Sequence, residues 1–168
     1  MTDTYRPVPD ILIKFLEREE GERHQAYRDL GGVWTDGVGS TTGVTSSTWW
    51  PQAVIDQHLV ADVQTAVKRL YWAIGADAVA HLNDYQYAAL LSFVFEEGEK
   101  SSWHVWADIR RGELSLVPAQ LRLFDYVSGR KNGGLDNRRA AEIDLWNGDD
   151  KLCKDFPLKA VGASPISA

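Results

Sequence analysis

Glu20, Asp29 and Thr35 stand nine and six residues apart, on either side of the glycine pair Gly31-Gly32. A carboxylic acid, a second carboxylate and a hydroxyl brought together by a hairpin have the parts for hydrolysis. One acid protonates a leaving oxygen, while the other carboxylate and the hydroxyl hold and activate water. Spacing alone does not decide this, because acids near a turn are most often solvated surface groups. The elements that would have to position the three are therefore the next thing to read.

Pro9-Asp10 opens a helix whose apolar residues Ile11, Leu12, Phe15 and Leu16 fall at i, i+4 spacing. Gly21 is a natural stop, so Glu20 is expected at the helix C-terminus. The negative end of the helix dipole there disfavours an ionised carboxylate, which suits an acid that must keep its proton. Its neighbours Glu17, Glu19 and Glu22 read as one solvated acidic face. Two strand-like runs follow, about Gln25 to Arg28 and Val33 to Val38, joined by Gly31-Gly32. Alternation puts Val33, Thr35 and Gly37 on one face, with Trp34, Asp36 and Val38 on the other. Gly37 and Gly39 lack side chains and would let a ligand or a backbone come close.

The spelling from Glu20 to Gly39, E-G-x-R-x-x-A-Y-x-D-x-x-G-V-W-T-x-G-x-G, resembles the signature of phage-type lysozymes, the endolysins of glycoside hydrolase family 24. The likeness extends over roughly residues 9 to 148. It implies that Glu20, Asp29 and Thr35 form a catalytic triad. The run G-L-D-N-R-R-A-A-E, Gly134 to Glu142, continues the likeness. In the family one of its arginines approaches the catalytic Glu across the cleft, which is assigned here to Arg138. Without the resemblance, Arg138 and Glu142 read as a surface i, i+4 pair worth ~0.3–0.5 kcal/mol. Arg139, turned about 100° away, is expected to stand outside the site. The chain departs from the family pattern at Asp36 (commonly apolar), Ser40 (commonly His) and Glu96 (commonly Asn). None of these removes a triad member.

Downstream, Ile55, Leu59, Val63, Val67 and Leu70 predict one long amphipathic helix from Pro51 to about Ile74, broken at Gly75. In the family a helix joining two lobes stands here. Asn83 with Gln86 forms a capping-box pattern, and Ala88 to Phe95 is apolar nearly all round, which predicts a central helix ended by Gly98. Ser101 or Ser102 is expected to cap a short helix, Trp103 to Arg111. Pro118 should open another that closes at Gly129, and Leu135 or Asp136 should begin the last, ended by Asn147-Gly148. The expected fold is α+β and mainly helical: a lysozyme-like, two-lobed chain with a small N-terminal β-hairpin lobe, a connecting helix and a helical C-terminal lobe. It reads as a single domain, with a core over 9–148 and a loosely ordered tail from 149 to 168.

Composition narrows the partners. A net charge of −6 argues against a nucleic-acid ligand. One cysteine, Cys153, excludes an internal disulfide and a thiolate metal centre. The four histidines lack metal-binding spacing, so no metal and no cofactor are expected. No signal peptide and no membrane-spanning or anchor run is read in the sequence. The resemblance then implies a monomer that accumulates in the host cytoplasm, is released by a holin, and acts on peptidoglycan in the periplasm. Seven tryptophans are many for this length, and Trp34, Trp49, Trp50 or Trp106 could stack on sugar rings. For any single one, burial in the core is the commoner role. Two rival functions share these residues: a lytic transglycosylase, which needs the Glu alone, and a wall-binding or tail component without catalysis.

Overall fold

The computed structural model describes residues 4–20, 27–28, 34–35, 52–127 and 129–159. Seven helices, two short antiparallel strand pairs and two 3₁₀ turns lie among them. Helix α4, Asp84–Glu97, is the centre: nine of its residues, Tyr85 and Tyr87 through Val94, are buried. Its start is fixed by the expected capping box, with Asn83 Oδ1 accepting from Gln86 N and Gln86 Oε1 accepting from Asn83 N, both at 2.9 Å. Its end is fixed by Gly98 at φ 76°, a conformation that costs a glycine little.

Three helices pack on α4. The first, α1 (Asp10–Glu20), turns Ile11, Leu12, Phe15 and Leu16 inward as its periodicity requires. The long α2 (Gln52–Ile74) buries Leu59, Val63, Ala66, Val67 and Leu70 and stops before Gly75 at φ 83°. The last, α7 (Gly133–Asn147), contributes Leu135, Leu145 and Trp146 to the buried face. Between α2 and α4 lies the short α3 (Ala76–His81). The N-terminal segment is tied to it and to the start of α4: Arg6 Nη1 donates to the carbonyls of Val79 and Leu82 at 3.0 and 2.7 Å, and Nη2 reaches Asp84 at 2.7 Å.

Beyond α4 the fold departs from expectation in detail. Helix α5 (His104–Arg110) begins after Trp103, and neither Ser101 nor Ser102 caps it with a side chain. Trp103 instead packs on Phe93 and Phe124, so aromatic burial fixes this end of the helix. A 3₁₀ turn, Leu114–Leu116, leads into α6 (Val117–Leu121). Gly129 does not close that helix. It sits at φ 77° in a hairpin between β3 (Tyr126–Val127) and β4 (Arg130–Lys131), with Tyr126 opposite Lys131 and Val127 opposite Arg130. The Ser-Gly dipeptide carries that hairpin signal.

The expected loose tail is folded at its beginning. After Gly148, at φ 78° with its α-carbon hydrogen against the Tyr85 ring, residues Lys151–Lys154 form a 3₁₀ turn. Asp150 caps that turn and makes two parallel bonds with Arg18 on α1, at 2.9 and 2.7 Å. Tyr85 Oη contacts the carbonyls of Cys153 and Phe156 at 3.1 and 2.8 Å, and Cys153 is buried. A partly buried polar and ionic clasp therefore stands where small residues and prolines suggested disorder. Residues 160–168 lie outside the described residues. No helix among the described residues is long and apolar enough to cross a membrane.

Candidate active site

Glu20 is the last residue of α1, as the glycine stop at Gly21 required. Its side chain is only 10% exposed and faces α7, where Arg138 Nη1 donates to its Oε1 at 2.6 Å. Arg138 is itself 8% exposed, so the pair is largely desolvated. Burial pushes the Glu20 carboxyl above the usual carboxylate range, and Glu96 and Glu142 push the same way. Arg138 opposes them. The net direction suits a group that holds its proton near neutrality.

Arg138 has a second set of partners. Its Nε donates to Glu142 Oε1 at 3.1 Å, and its Nη2 donates to Ser92 Oγ at 3.1 Å. Ser92 in turn donates to Glu142 Oε1 at 2.7 Å. Arg139 stands beside them with Nη2 3.1 Å from Glu142 Oε1 and Nη1 3.0 Å from Glu97 Oε1. The i, i+4 pair read from the sequence exists, but it is no surface pair: Glu142 and Ser92 are both 0% exposed. Arg139 was expected outside the site. It is fully buried instead, because Glu142 and Glu97 supply its counter-charge in the interior.

The other sequence-predicted residues are placed unevenly. Thr35 and Trp34 form strand β2, paired with β1 (Tyr27–Arg28) so that Tyr27 lies opposite Thr35 and Arg28 opposite Trp34. The backbone of an antiparallel pair is thus where the two strand-like runs put it, whereas the side chains of Thr35 and Trp34 are not described. Asp29, Gly37 and Gly39 lie outside the described residues, as do Asp36, Ser40, Trp49 and Trp50. Trp106 is not a sugar platform. It is 0% exposed, and its indole Nε1 donates to the Lys100 carbonyl at 3.0 Å, so it belongs to the core with Phe93. Glu96 is exposed on α4, near enough to act on Glu20 and Arg138 through its charge.

Sequence reasoning missed Ser92 and the burial of Glu142 and Arg139. A signal was present: Ser92 is the single polar residue inside the apolar run AALLSFVF, and a buried hydroxyl needs a partner.

The sequence matches the family profile described as phage lysozyme over residues 17–142. The chain belongs to the phage lysozyme family. Among curated relatives, the SAR-endolysin of Escherichia phage Mu is 28% identical over 130 residues, which is 76% of this chain and 74% of that protein. The crystal structure of the active form of the P1 phage endolysin Lyz aligns with a TM-score of 0.71 at 22% identity, covering 83% of this chain and 84% of that one. The muramidase domain of SpmX from Asticaccaulis excentricus aligns with a TM-score of 0.71 at 21% identity, covering 84% and 97%. At such identities the two structures establish the lysozyme-like, mainly helical fold. In this chain the acid at the end of α1 and an arginine of α7 form one buried pair.

Proposed function

We propose that this phage lysozyme hydrolyses the β-1,4 bond between N-acetylmuramic acid and N-acetylglucosamine in bacterial peptidoglycan and thereby lyses the host cell. The observation that carries the reading is the Glu20 carboxyl, closed off from water at a helix end, raised above its ordinary titration range and fixed in place by Arg138. Such a carboxyl protonates the leaving glycosidic oxygen. Asp29, with Thr35, holds and activates water on the opposite face of the sugar, and Trp34, Gly37 and Gly39 line the groove. The resemblance implies inversion at the anomeric carbon.

The chain then works as one domain: β1 and β2 belong to a small N-terminal hairpin lobe, α2 joins the lobes, and α3 to α7 build the opposite wall. It acts as a monomer without metal or cofactor, resides in the host cytoplasm until a holin releases it, and reaches the wall through the periplasm.

The test is product analysis by mass spectrometry after digestion of purified peptidoglycan. Hydrolysis gives saccharides with free reducing ends, and Asp29→Asn loses activity together with Glu20→Gln. Products ending in 1,6-anhydro sugars, formed as well by Asp29→Asn, would mean a lytic transglycosylase. Absence of any product would leave wall binding without catalysis.

A further inference from the structure

A guanidinium 2.6 Å from a carboxyl favours the ionised carboxylate, which is the wrong state for a general acid. Arg138, however, is shared. Its Nε is engaged by Glu142 at 3.1 Å, and only Nη1 points at Glu20. Glu142 is surrounded by donors. Its Oε1 receives Ser92 Oγ, Arg138 Nε and Arg139 Nη2 at 2.7, 3.1 and 3.1 Å. Its Oε2 lies 2.8 Å from Arg139 Nε, too far off line for a hydrogen bond. Burial pushes the Glu142 carboxyl upward, against Arg139, Arg138 and Ser92; a protonated Glu142 would have to donate where these groups also donate, so the hydrogen-bond geometry calls for the carboxylate.

Two buried guanidiniums, Arg138 and Arg139, thus meet three carboxyls: Glu20, Glu97 and Glu142. Charge balances when one carboxyl keeps its proton. Other groups around Glu20 do not relieve this excess of carboxyls. On its own helix, Arg18 is bonded to Glu19 and Asp150, and from α4 the exposed Glu96 adds a further negative charge.

We propose that Glu142 is a positioning residue for the reaction: a buried carboxylate that takes up the charge of Arg138, so that Arg138 aims the Glu20 carboxyl without stripping its proton. The proposal rests on the reading of Glu20 as the acid. Ser92 bonds to both Glu142 and Arg138 but carries no charge, so it supports their packing and takes no part in the charge balance. Glu142 never touches substrate. It acts through Arg138.

The experiment is the pH–rate profile of Glu142→Gln on purified peptidoglycan at constant ionic strength. Glutamine keeps the shape and Oε1 as an acceptor but removes the charge. Arg138 is then left with Glu20 as its nearest counter-charge, and the alkaline limb should move to lower pH by about one unit, the size of a shift from one nearby charge. Glu142→Asp, which keeps the charge, should hold the limb at the wild-type position. Ser92→Ala disturbs the same packing without changing charge, so its melting temperature should fall while the limb stays.

A limb that moves upward in Glu142→Gln would mean that Arg138 has swung away, making Glu142 a structural support only. An unmoved limb, or an equal downward shift in Ser92→Ala, would also overturn the proposal. Should Glu142→Gln fail to fold, Arg139→Met/Glu142→Gln removes both members of the buried pair and leaves only Glu97, whose side chain is 24% exposed to water, without its arginine. The same downward shift is expected there, and its absence counts against the proposal equally. Glu20→Gln measured alongside separates the two levels: if it keeps its activity, the assignment of the acid has failed, whatever Glu142 does.

Discussion

Replacing Arg138 with alanine should move the alkaline limb of the pH–rate profile in the direction opposite to Glu142→Gln. In the native protein Arg138 is the group that draws the Glu20 carboxyl downward against burial, Glu96 and Glu142. An opposite charge within ~4–6 Å shifts a pKa by about 1–3 units. At 2.6 Å, with the two side chains 8% and 10% exposed, screening by water is weak. Losing Arg138 therefore moves the alkaline limb upward.

The same substitution has a stability consequence with a definite sign. Glu20 already titrates above its unfolded value, so its contribution is fully present below that value and is lost as pH rises through the folded one. Removing Arg138 raises the folded pKa further and strands Glu142 with Arg139 alone. Breaking a buried ionic network in this way costs about 3–5 kcal/mol. For a chain of this size that is a fall of roughly 10 °C in Tm, steepening toward alkaline pH. The assay is lysis rate against pH at constant ionic strength, with folding followed by circular dichroism. Arg122→Ala, which removes an exposed pair with Asp136 at 3.2 Å, is the control and should leave the limb in place. Arg139 cannot serve as a control, because it is fully buried in the same network. An unmoved limb in folded Arg138→Ala would refute the reasoning.

Two further outcomes are expected. Asp150→Ala should lower stability by about 2 kcal/mol, since it removes both a cap and a partly screened ion pair with Arg18. Burial works against the Asp150 charge, but the Arg18 and Leu152 hydrogen bonds prevail and hold its carboxyl below the usual range. That stability is present above the unfolded pKa and is lost as pH falls through the folded one, so the Tm difference from wild type should shrink in strong acid. Reducing agent should change neither Tm nor activity, because Cys153 is the sole cysteine; a clear drop in Tm with dithiothreitol at fixed protein concentration would contradict this.

Where the sequence was legible, local chemistry and packing agreed. The Asn83–Gln86 box, the glycine stops at Gly98 and Gly148 and the periodicity of α1 and α2 each name an element the fold contains. The pairing of Tyr27–Arg28 with Trp34–Thr35 likewise follows from the two strand-like runs. What escaped depends on distant partners. Asp150 looks like a loop acid until Arg18, 132 positions away, closes on it. Arg139 and Glu142 look like surface charges on a helix until α4 covers them with Ser92 and Glu97. The same spacing serves an exposed pair and a buried one, and only tertiary packing separates the two. Trp106 shows the converse, an aromatic that fits a sugar groove by type and fills the core by position.

The most direct test of the central claim is lysis of chloroform-treated Gram-negative cells by Glu20→Gln, followed by turbidity, with circular dichroism to establish the fold. An amide keeps the shape of the carboxyl and cannot give up the proton, and a general acid contributes about 10²–10⁴-fold in rate. A folded variant whose lysis falls by at least that factor is the predicted result. Lysis at near wild-type rate would show that the buried carboxyl at the end of α1 is not the catalytic acid.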